Sequence, residues 1–323
     1  MPLEIGKLSK RYGNKWVLRD VSLDAAEGRI LGICGATASG KSTLLNAIAG
    51  LTKTSGGSVM LNSTDLSTTK AKDRRITLMK NHETSGFLGK FGVGTSSDSS
   101  GERQFAAFEN AVSNAGKVLL LDDPFDQMDR HIRQQCFDKL ILAARERGLI
   151  VIFAARDFDQ IAAVADNAAV LSGGDIVQYG TPQKIYEIPE TVDAANLSGD
   201  NNLFEARRLS SSDADLPEFQ TIVGNHRIFA HRADKSRLAA INKNVTLAIR
   251  PEQIVMSMGA SFPEDNLLRA VVTTVKFRGA TSLIEFDAAG LKLETRVFKV
   301  VGLNIGDECM LGLPPHRILI FKD

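Results

Sequence analysis

The stretch Gly35-Ala36-Thr37-Ala38-Ser39-Gly40-Lys41-Ser42 constrains this chain more than any other. It follows an apolar run, Arg29-Ile30-Leu31-Gly32-Ile33-Cys34, and precedes Thr43-Leu44-Leu45-Asn46-Ala47-Ile48-Ala49, which is helical in composition and spacing. Strand, glycine-rich turn and helix in that order make an anion-binding unit. The backbone N–H groups of the turn converge on phosphate oxygens, Lys41 reaches the β and γ phosphates, and the Ser42 hydroxyl suits Mg²⁺. A glycine-rich turn arising by chance would lack those flanks.

At 323 residues the chain is long enough for two domains. Its 39 Lys and Arg against 38 Asp and Glu create no strong field favouring nucleic acid or an anionic membrane surface, and nucleic acid is not expected as a partner. No apolar run approaches the roughly 18 residues of a membrane span, and Met1 to Gly6 lacks the basic and apolar regions of a secretion signal. Cys34, Cys136 and Cys309 are odd in number and far apart. That argues against a disulfide framework or zinc site and fits a reducing cytosol, with Cys34 a small buried residue of the strand before the loop.

Along the chain, Leu3 and Ile5, then Val17, Leu18, Val21 and Leu23, read as antiparallel strands around the turn Tyr12-Gly13-Asn14-Lys15. Tyr12 is either a base-stacking aromatic or a half-covered strand residue. Ser55 to Ser58 reads as a turn, Val59 to Asn62 as a short strand and Ile76 to Met79 as a buried one. From Thr84 to Gly101, alternating Gly and Ser predict a loop. Helix resumes at Glu102, with Phe105, Phe108 and Val112 on one face and Ser99 or Ser100 as its cap. Val118 to Leu121 is an apolar run ending at Asp122-Asp123-Pro124. Ligand chemistry collects at the carboxyl ends of parallel strands, so Asp122 suits a Mg²⁺ ligand and Asp123 a group that orients or deprotonates water; the alternative is a solvated turn capping a helix. Leu149 to Ala154 is a further buried strand, Ile161 to Ala168 is helical, and Gly173-Gly174 marks a hairpin between Ala169-Val170-Leu171 and Ile176-Val177.

This alternation makes an α/β domain over residues 1–200. Beyond Asn201 come short strands: Thr221 to Val223, Arg227 to Phe229, Val245 to Ile249, Ala270 to Phe277, Leu283 to Phe286, Leu291 to Val297 and Met310 to Leu313. Their density predicts a small all-β barrel over 203–323. An internal echo, Leu247-Ala248-Ile249-Arg250-Pro251 against Met310-Leu311-Gly312-Leu313-Pro314, suggests a duplication.

With these residues in place the chain resembles, over nearly its whole length, the ATP-binding subunits of ATP-binding cassette importers, in the branch serving maltose, polyamine, sulfate or ferric-iron uptake. Lys10-Arg11-Tyr12-Gly13 resembles the family's adenine-stacking loop, which favours Tyr12 as a base platform. Gly35, Ala36, Thr37, Ala38, Ser39, Gly40, Lys41, Ser42 and Thr43 match its Walker A motif, and Leu119 to Phe125 its Walker B, with Asp129 placed like the Asp that ends the D-loop. Gly180 to Tyr186 is similar to the segment closing the nucleotide domain, and Ala248 to Glu252 to part of the C-terminal regulatory barrel of OB or TOBE type. The resemblance implies a P-loop NTPase fold with a following barrel. It implies ATP and Mg²⁺ as cofactors, Ser42 and Asp122 as metal ligands, and a homodimer, or a heterodimer with an intact cassette. Permease subunits would be partners on the cytoplasmic face of the membrane.

Four features depart from the family pattern. Asp98-Ser99-Ser100-Gly101-Glu102 stands where the family has Leu-Ser-Gly-Gly-Gln: Ser99 and Gly101 keep their types, but Ser100 adds a Cβ where close approach to the γ-phosphate is needed. Asp123 replaces the catalytic Glu, withdrawing the carboxylate by roughly an ångström. Arg156 replaces the switch His; it can hold the γ-phosphate but relays no proton near neutral pH, or it forms a surface ion pair with Asp157 or Asp159. Asn81 stands at the Q-loop Gln, and the short segment from there to Ser99 predicts a reduced helical subdomain. The expected function is therefore that of an importer's ATP-hydrolysing subunit with impaired turnover. The alternative is a hydrolysis-impaired nucleotide-binding regulatory or interaction protein derived from one.

Overall fold

The apolar alternation at the start of the chain forms a long hairpin, β1 (Leu3–Tyr12) with β2 (Lys15–Ala25), which β4 (Gly56–Leu61) and β5 (Thr64–Asp65) extend into a four-stranded antiparallel sheet in the order β2-β1-β4-β5. The computed structural model describes residues 2–80, 100–210, 216–231, 238–258, 266–298 and 302–322. They fall into two units, Met1–Ser198 and Gly199–Asp323.

The centre of the first unit is a six-stranded sheet. β3 (Ile30–Cys34), β6 (Ile76–Lys80), β7 (Val118–Asp122), β8 (Ile150–Ala155) and β9 (Asn167–Ser172) run parallel, and β10 (Asp175–Gly180) closes the edge antiparallel to β9. The order is β10-β9-β3-β8-β7-β6. Every residue of β3, β7 and β8 is buried, as expected where both faces of a parallel sheet are covered. On one face Leu31, Ile33, Leu120 and Ile152 pack with the hairpin and with α1 (Lys41–Ile48). On the other, Leu119, Leu121, Val151 and Phe153 join a core with α2 (Ser100–Ser113), α3 (Arg130–Arg147) and α4 (Phe158–Val164), to which α5 (Pro182–Glu187) and α6 (Val192–Ser198) contribute Ile185 and Ala194. Among the described residues no helix is long and apolar enough to cross a membrane.

Local expectation fails in four places. Gly56 to Ser58 belongs to β4 rather than a turn, because pairing with β1 recruits it. The α4 helix ends at Val164, and Ala168 lies in β9, where pairing with Gly32 of β3 holds it extended. α2 begins at Ser100, so Ser100 is part of the helix it was expected to cap, while Ser99 lies outside the described residues. Ile222 and Val223 follow β12 instead of forming a strand and are exposed. Residues 81–99, to which the readings of Asn81, Asp98 and a reduced helical subdomain attach, also lie outside the described residues.

The second unit consists of two five-stranded antiparallel sheets around one shared core. Its strands are β11 (Asn202–Arg208), β12 (Glu218–Thr221), β13 (Arg227–Phe229), β14 (Asn244–Ile249), β15 (Val255–Ser257), β16 (Asn266–Phe277), β17 (Ser282–Ala288), β18 (Leu291–Val297), β19 (Glu308–Leu313) and β20 (Leu319–Lys322). The sheet orders, β13-β12-β11-β14-β20 and β15-β19-β16-β17-β18, interconvert when each strand is replaced by the one five places on or back. Register agrees: Asn202 faces Ile249 and Asn266 faces Leu313, an offset of 64 residues at both ends. Each asparagine side chain bridges strands in the same manner. Asn202 donates to the carbonyls of Ile249 and Glu294 and accepts from Glu294 N–H; Asn266 donates to Leu313 and Phe229 and accepts from Phe229 N–H. The expected duplication is therefore present, with its register moved by one residue, so that Leu247 matches Leu311 and Pro251 matches Pro315. β15 and β20 are exchanged, each completing the sheet of the other half.

Candidate nucleotide site

The loop Gly35–Gly40 leaves β3 at its carboxyl end and enters α1 at Lys41. Two glycines allow its course. A Cβ on Gly35 would stand 2.5 Å from the Ser39 hydroxyl oxygen and 2.6 Å from the Leu171 carbonyl. Gly40 has φ 113°, and a Cβ there would meet the Val17 carbonyl and a Leu18 methyl at 2.9 Å, closer than such atoms approach and in a backbone region open mainly to glycine. Lys41 is 5% exposed, and its ammonium donates to the carbonyls of Gly35 at 2.6 Å and Ala36 at 3.0 Å. The loop is thus curled around its own lysine. Burial lowers the Lys41 pKa, against the opposing pull of Asp123 and Asp122.

The sheet register brings the other candidates to the same edge. Cys34 faces Ala155, Asp122 faces Ala154, and Lys80 faces Asp122. Asp122 is 8% exposed and closes β7. Asp123 turns out of the strand with φ 47°, a left-handed conformation that Asp adopts more readily than most residues, and its N–H donates to the Ala154 carbonyl at 2.9 Å. Burial, reinforced by the neighbouring charge of Asp126, raises the Asp123 carboxyl against the pull of Lys41 and Arg156. Among the described residues Ser39 Oγ, Asp122 Oδ1 and Asp123 Oδ1 are buried side-chain oxygens with no hydrogen-bond partner. Buried polar atoms are ordinarily satisfied, so three orphans around one loop mark where a polar ligand belongs.

Arg156 follows β8 and pairs with Asp126 through Nη2, while its Nε stands 3.7 Å from Asp123 Oδ2. The expected surface pair with Asp157 or Asp159 is not the one formed, because Asp157 caps α4 by accepting from the Asp159 N–H. The carboxylate loop is fixed at several points. Phe125, fully buried, meets the rings of Phe108, Phe137 and Phe153 at centroid distances of 5.4, 5.2 and 5.4 Å. The buried Gln104 accepts from Gln127 N–H at 3.0 Å, the Asp129 side chain caps α3, and Gly101 approaches Gln127 so closely that a Cβ would meet its carbonyl at 3.0 Å. Asp126 and Gln104 were not singled out from the sequence. Their partners lie 30 and 23 residues away, and only an acidic residue three positions after Asp123 hinted at the first.

Tyr12 is 51% exposed at the hairpin tip, with the Lys10 ammonium 4.5 Å from its ring centroid. A register shift between Lys10 and Arg11 puts Leu18 opposite Lys10 and Trp16 opposite Arg11. Tyr12 therefore shares a face with Lys10 and Leu18, and Leu18 is the residue packed against Gly40; Trp16 lies on the other face with Arg11. Cys34 is fully buried, its thiol pushed up to about 12 by burial.

A phosphate loop on the central strand of such a sheet, followed by a duplicated β unit, defines a nucleoside-triphosphatase cassette with an appended β domain. Residues 18–93 match the family model of the ABC transporter and residues 247–321 that of the TOBE domain. The spermidine/putrescine import ATP-binding protein PotA of Haemophilus ducreyi is 26% identical, covering 90% of this chain and 87% of its own. The Fe(3+) ions import ATP-binding protein FbpC of Escherichia coli O157:H7 is 24% identical over 99% and 98%. The sulfate/thiosulfate import ATP-binding protein CysA of Bacillus cereus is 28% identical over 69% and 75%. Among solved structures, the ADP conformation of an ATP-binding cassette of an ABC transporter superposes with a TM-score of 0.52 at 18% identity, covering 60% of this chain and 98% of that one, a likeness of fold.

Proposed function

We propose that this chain is the ATP-binding subunit of an ABC-type importer, in which residues 1–200 bind and hydrolyse ATP and residues 203–323 form a regulatory domain. The observation that carries the reading is the gathering of Lys41, Asp122, Asp123 and Arg156 at the loop, where Ser39 Oγ, Asp122 Oδ1 and Asp123 Oδ1 have no hydrogen-bond partner. On binding, Lys41 exchanges the Gly35 and Ala36 carbonyls for phosphate oxygens, which the N–H groups of Ala36 to Thr43 also approach. Tyr12 stacks on the adenine. Ser42 and Asp122 would hold Mg²⁺, an ion that keeps several waters and needs few protein ligands. This donor set fits: both groups supply oxygen, and the buried Asp122 Oδ1 has no hydrogen-bond partner. When bound, the ion would neutralise phosphate charge. Asp123 orients the attacking water and accepts its proton, and Arg156 holds the γ-phosphate. Ser99 and Gly101 would act on the nucleotide held by a second cassette. The working form is a dimer docked on permease subunits at the cytoplasmic face of the membrane.

A second reading, a nucleotide-binding regulator with little turnover, draws on Arg156 engaging the shortened carboxylate of Asp123. One experiment separates the two: ATP binding and steady-state hydrolysis measured together on the purified chain, with Asp123→Glu and Arg156→His as restorations. Binding with turnover typical of a transport cassette supports the importer subunit. Binding without turnover that the double change restores supports the regulator. No binding at all would sink both.

A further inference from the structure

Asp126 has no part in that mechanism, yet it holds one of its groups. The Arg156 side chain is 52% exposed, whereas those of Asp126 and Asp123 are 20% and 22% exposed. An exposed arginine on its own samples many rotamers, a freedom that is lost when it is fixed. Asp126, by contrast, sits on backbone fixed on both sides. Phe125 before it is enclosed by three aromatic rings, Gln127 after it is bonded to buried Gln104, and Asp129 caps α3. Asp126 is the anchored end of the pair and Arg156 the carried one. A guanidinium has five N–H donors. Those directed at Asp126 and Asp123 leave others for an anion arriving beside Asp123.

We propose that Asp126 is a positioning residue: it fixes the Arg156 guanidinium beside Asp123, where the terminal phosphate of a bound nucleotide arrives, and so gives the site its preference for a triphosphate over a diphosphate. The inference rests on the nucleotide-site reading above. Arg156 touches the nucleotide; Asp126 acts only through Arg156. Its loss therefore weakens the contact with the third phosphate and spares those that Lys41 and the loop make with the first two.

The test uses the full chain and competition against a fluorescent nucleotide, comparing ADP with the slowly hydrolysed analogue ATPγS, both with Mg²⁺. The variants are Asp126→Asn, Asp126→Glu, Arg156→Gln and the double change Asp126→Asn with Arg156→Gln. In Asp126→Asn, affinity for ATPγS falls about tenfold, the size of a lost charged hydrogen bond, while ADP affinity and thermal midpoint stay at wild-type values. Asp126→Glu recovers part of the loss, and the double variant is no weaker than Arg156→Gln alone. The proposal is overturned if Asp126→Asn binds ATPγS like wild type, or loses both nucleotides equally. It is also overturned if the variant gains affinity, since the pair would then withhold the arginine from phosphate. A wild-type chain that binds neither nucleotide overturns the site reading itself. A wild-type chain that binds both, with Asp126→Asn indistinguishable from it, overturns only the role of Asp126.

Discussion

At Gly35 the phosphate loop has no room for one methyl group. Its Cβ position lies 2.6 Å from the Leu171 carbonyl, which belongs to a buried strand and cannot yield. Gly35→Ala is therefore expected to cost about 2 kcal/mol or more by the overpacking mechanism and to abolish nucleotide binding, checked by urea unfolding and equilibrium binding. A second residue shows its effect through pH. Asp166 accepts from Arg29, Arg145 and the Ile30 N–H, and despite the opposing effect of burial these hold its carboxyl below the usual range. A carboxyl depressed on folding contributes stability that is present above its unfolded pKa of about 3.9 and is lost as pH falls through the folded value. Asp166→Asn should cost about 1 kcal/mol at pH 7, given how exposed both arginines are. The difference from wild type should begin to shrink as pH falls past about 3.9 and disappear only below the folded-state value; a difference that stays the same from pH 7 to pH 3 would count against the ion pairs. Which site residues could be read beforehand follows from distance along the chain. The loop from Gly35 to Ser42 carries its meaning in eight neighbouring letters, whereas Asp126 acquires one only when β7 and β8 bring Arg156 beside it.

Among the elements, the segment between β7 and α3 is where core and chemistry meet. Phe125, two residues after Asp123, is enclosed by the rings of Phe108, Phe137 and Phe153, and Phe125→Ala should cost about 3–5 kcal/mol as a buried aromatic truncation. Because Phe125 belongs to the segment that carries Asp123 and not to the loop around Lys41, hydrolysis should fall more than nucleotide affinity. Chemical unfolding and kinetics on the same preparation check both halves of that expectation. Parallel strands such as Val118 to Leu121 and Ile150 to Ala154 were legible because burial on two faces demands an uninterrupted apolar run. Gly56 to Ser58 was not legible, since two glycines and a serine favour a turn until the β1 ladder claims them. Nor was the end of α4, where alanines and valines serve either period. Ile222 and Val223 have strand composition, but Gly224 at φ 76° begins the turn that follows them.

Across the whole molecule, two units with separate cores should unfold in two calorimetric transitions. Asn202→Ala and Asn266→Ala are expected to lower only one of these, and by similar amounts of about 1–3 kcal/mol each, because each side chain satisfies an equivalent set of buried backbone groups. Unequal shifts would break the equivalence of the halves. The duplication was visible in the sequence as an echo, and its true register emerges only when Asn202 and Asn266 are superimposed.

The exchanged strands give the second unit a built-in order of assembly during synthesis. β15 waits about 50 residues for β19, and β14 waits about 70 residues for β20, roughly 4 to 14 seconds at ~5–20 residues per second. For that interval the edge of β14 is an open template for other chains. The nascent chain thus has a brief window of vulnerability, and its last described strand is the one that shuts it.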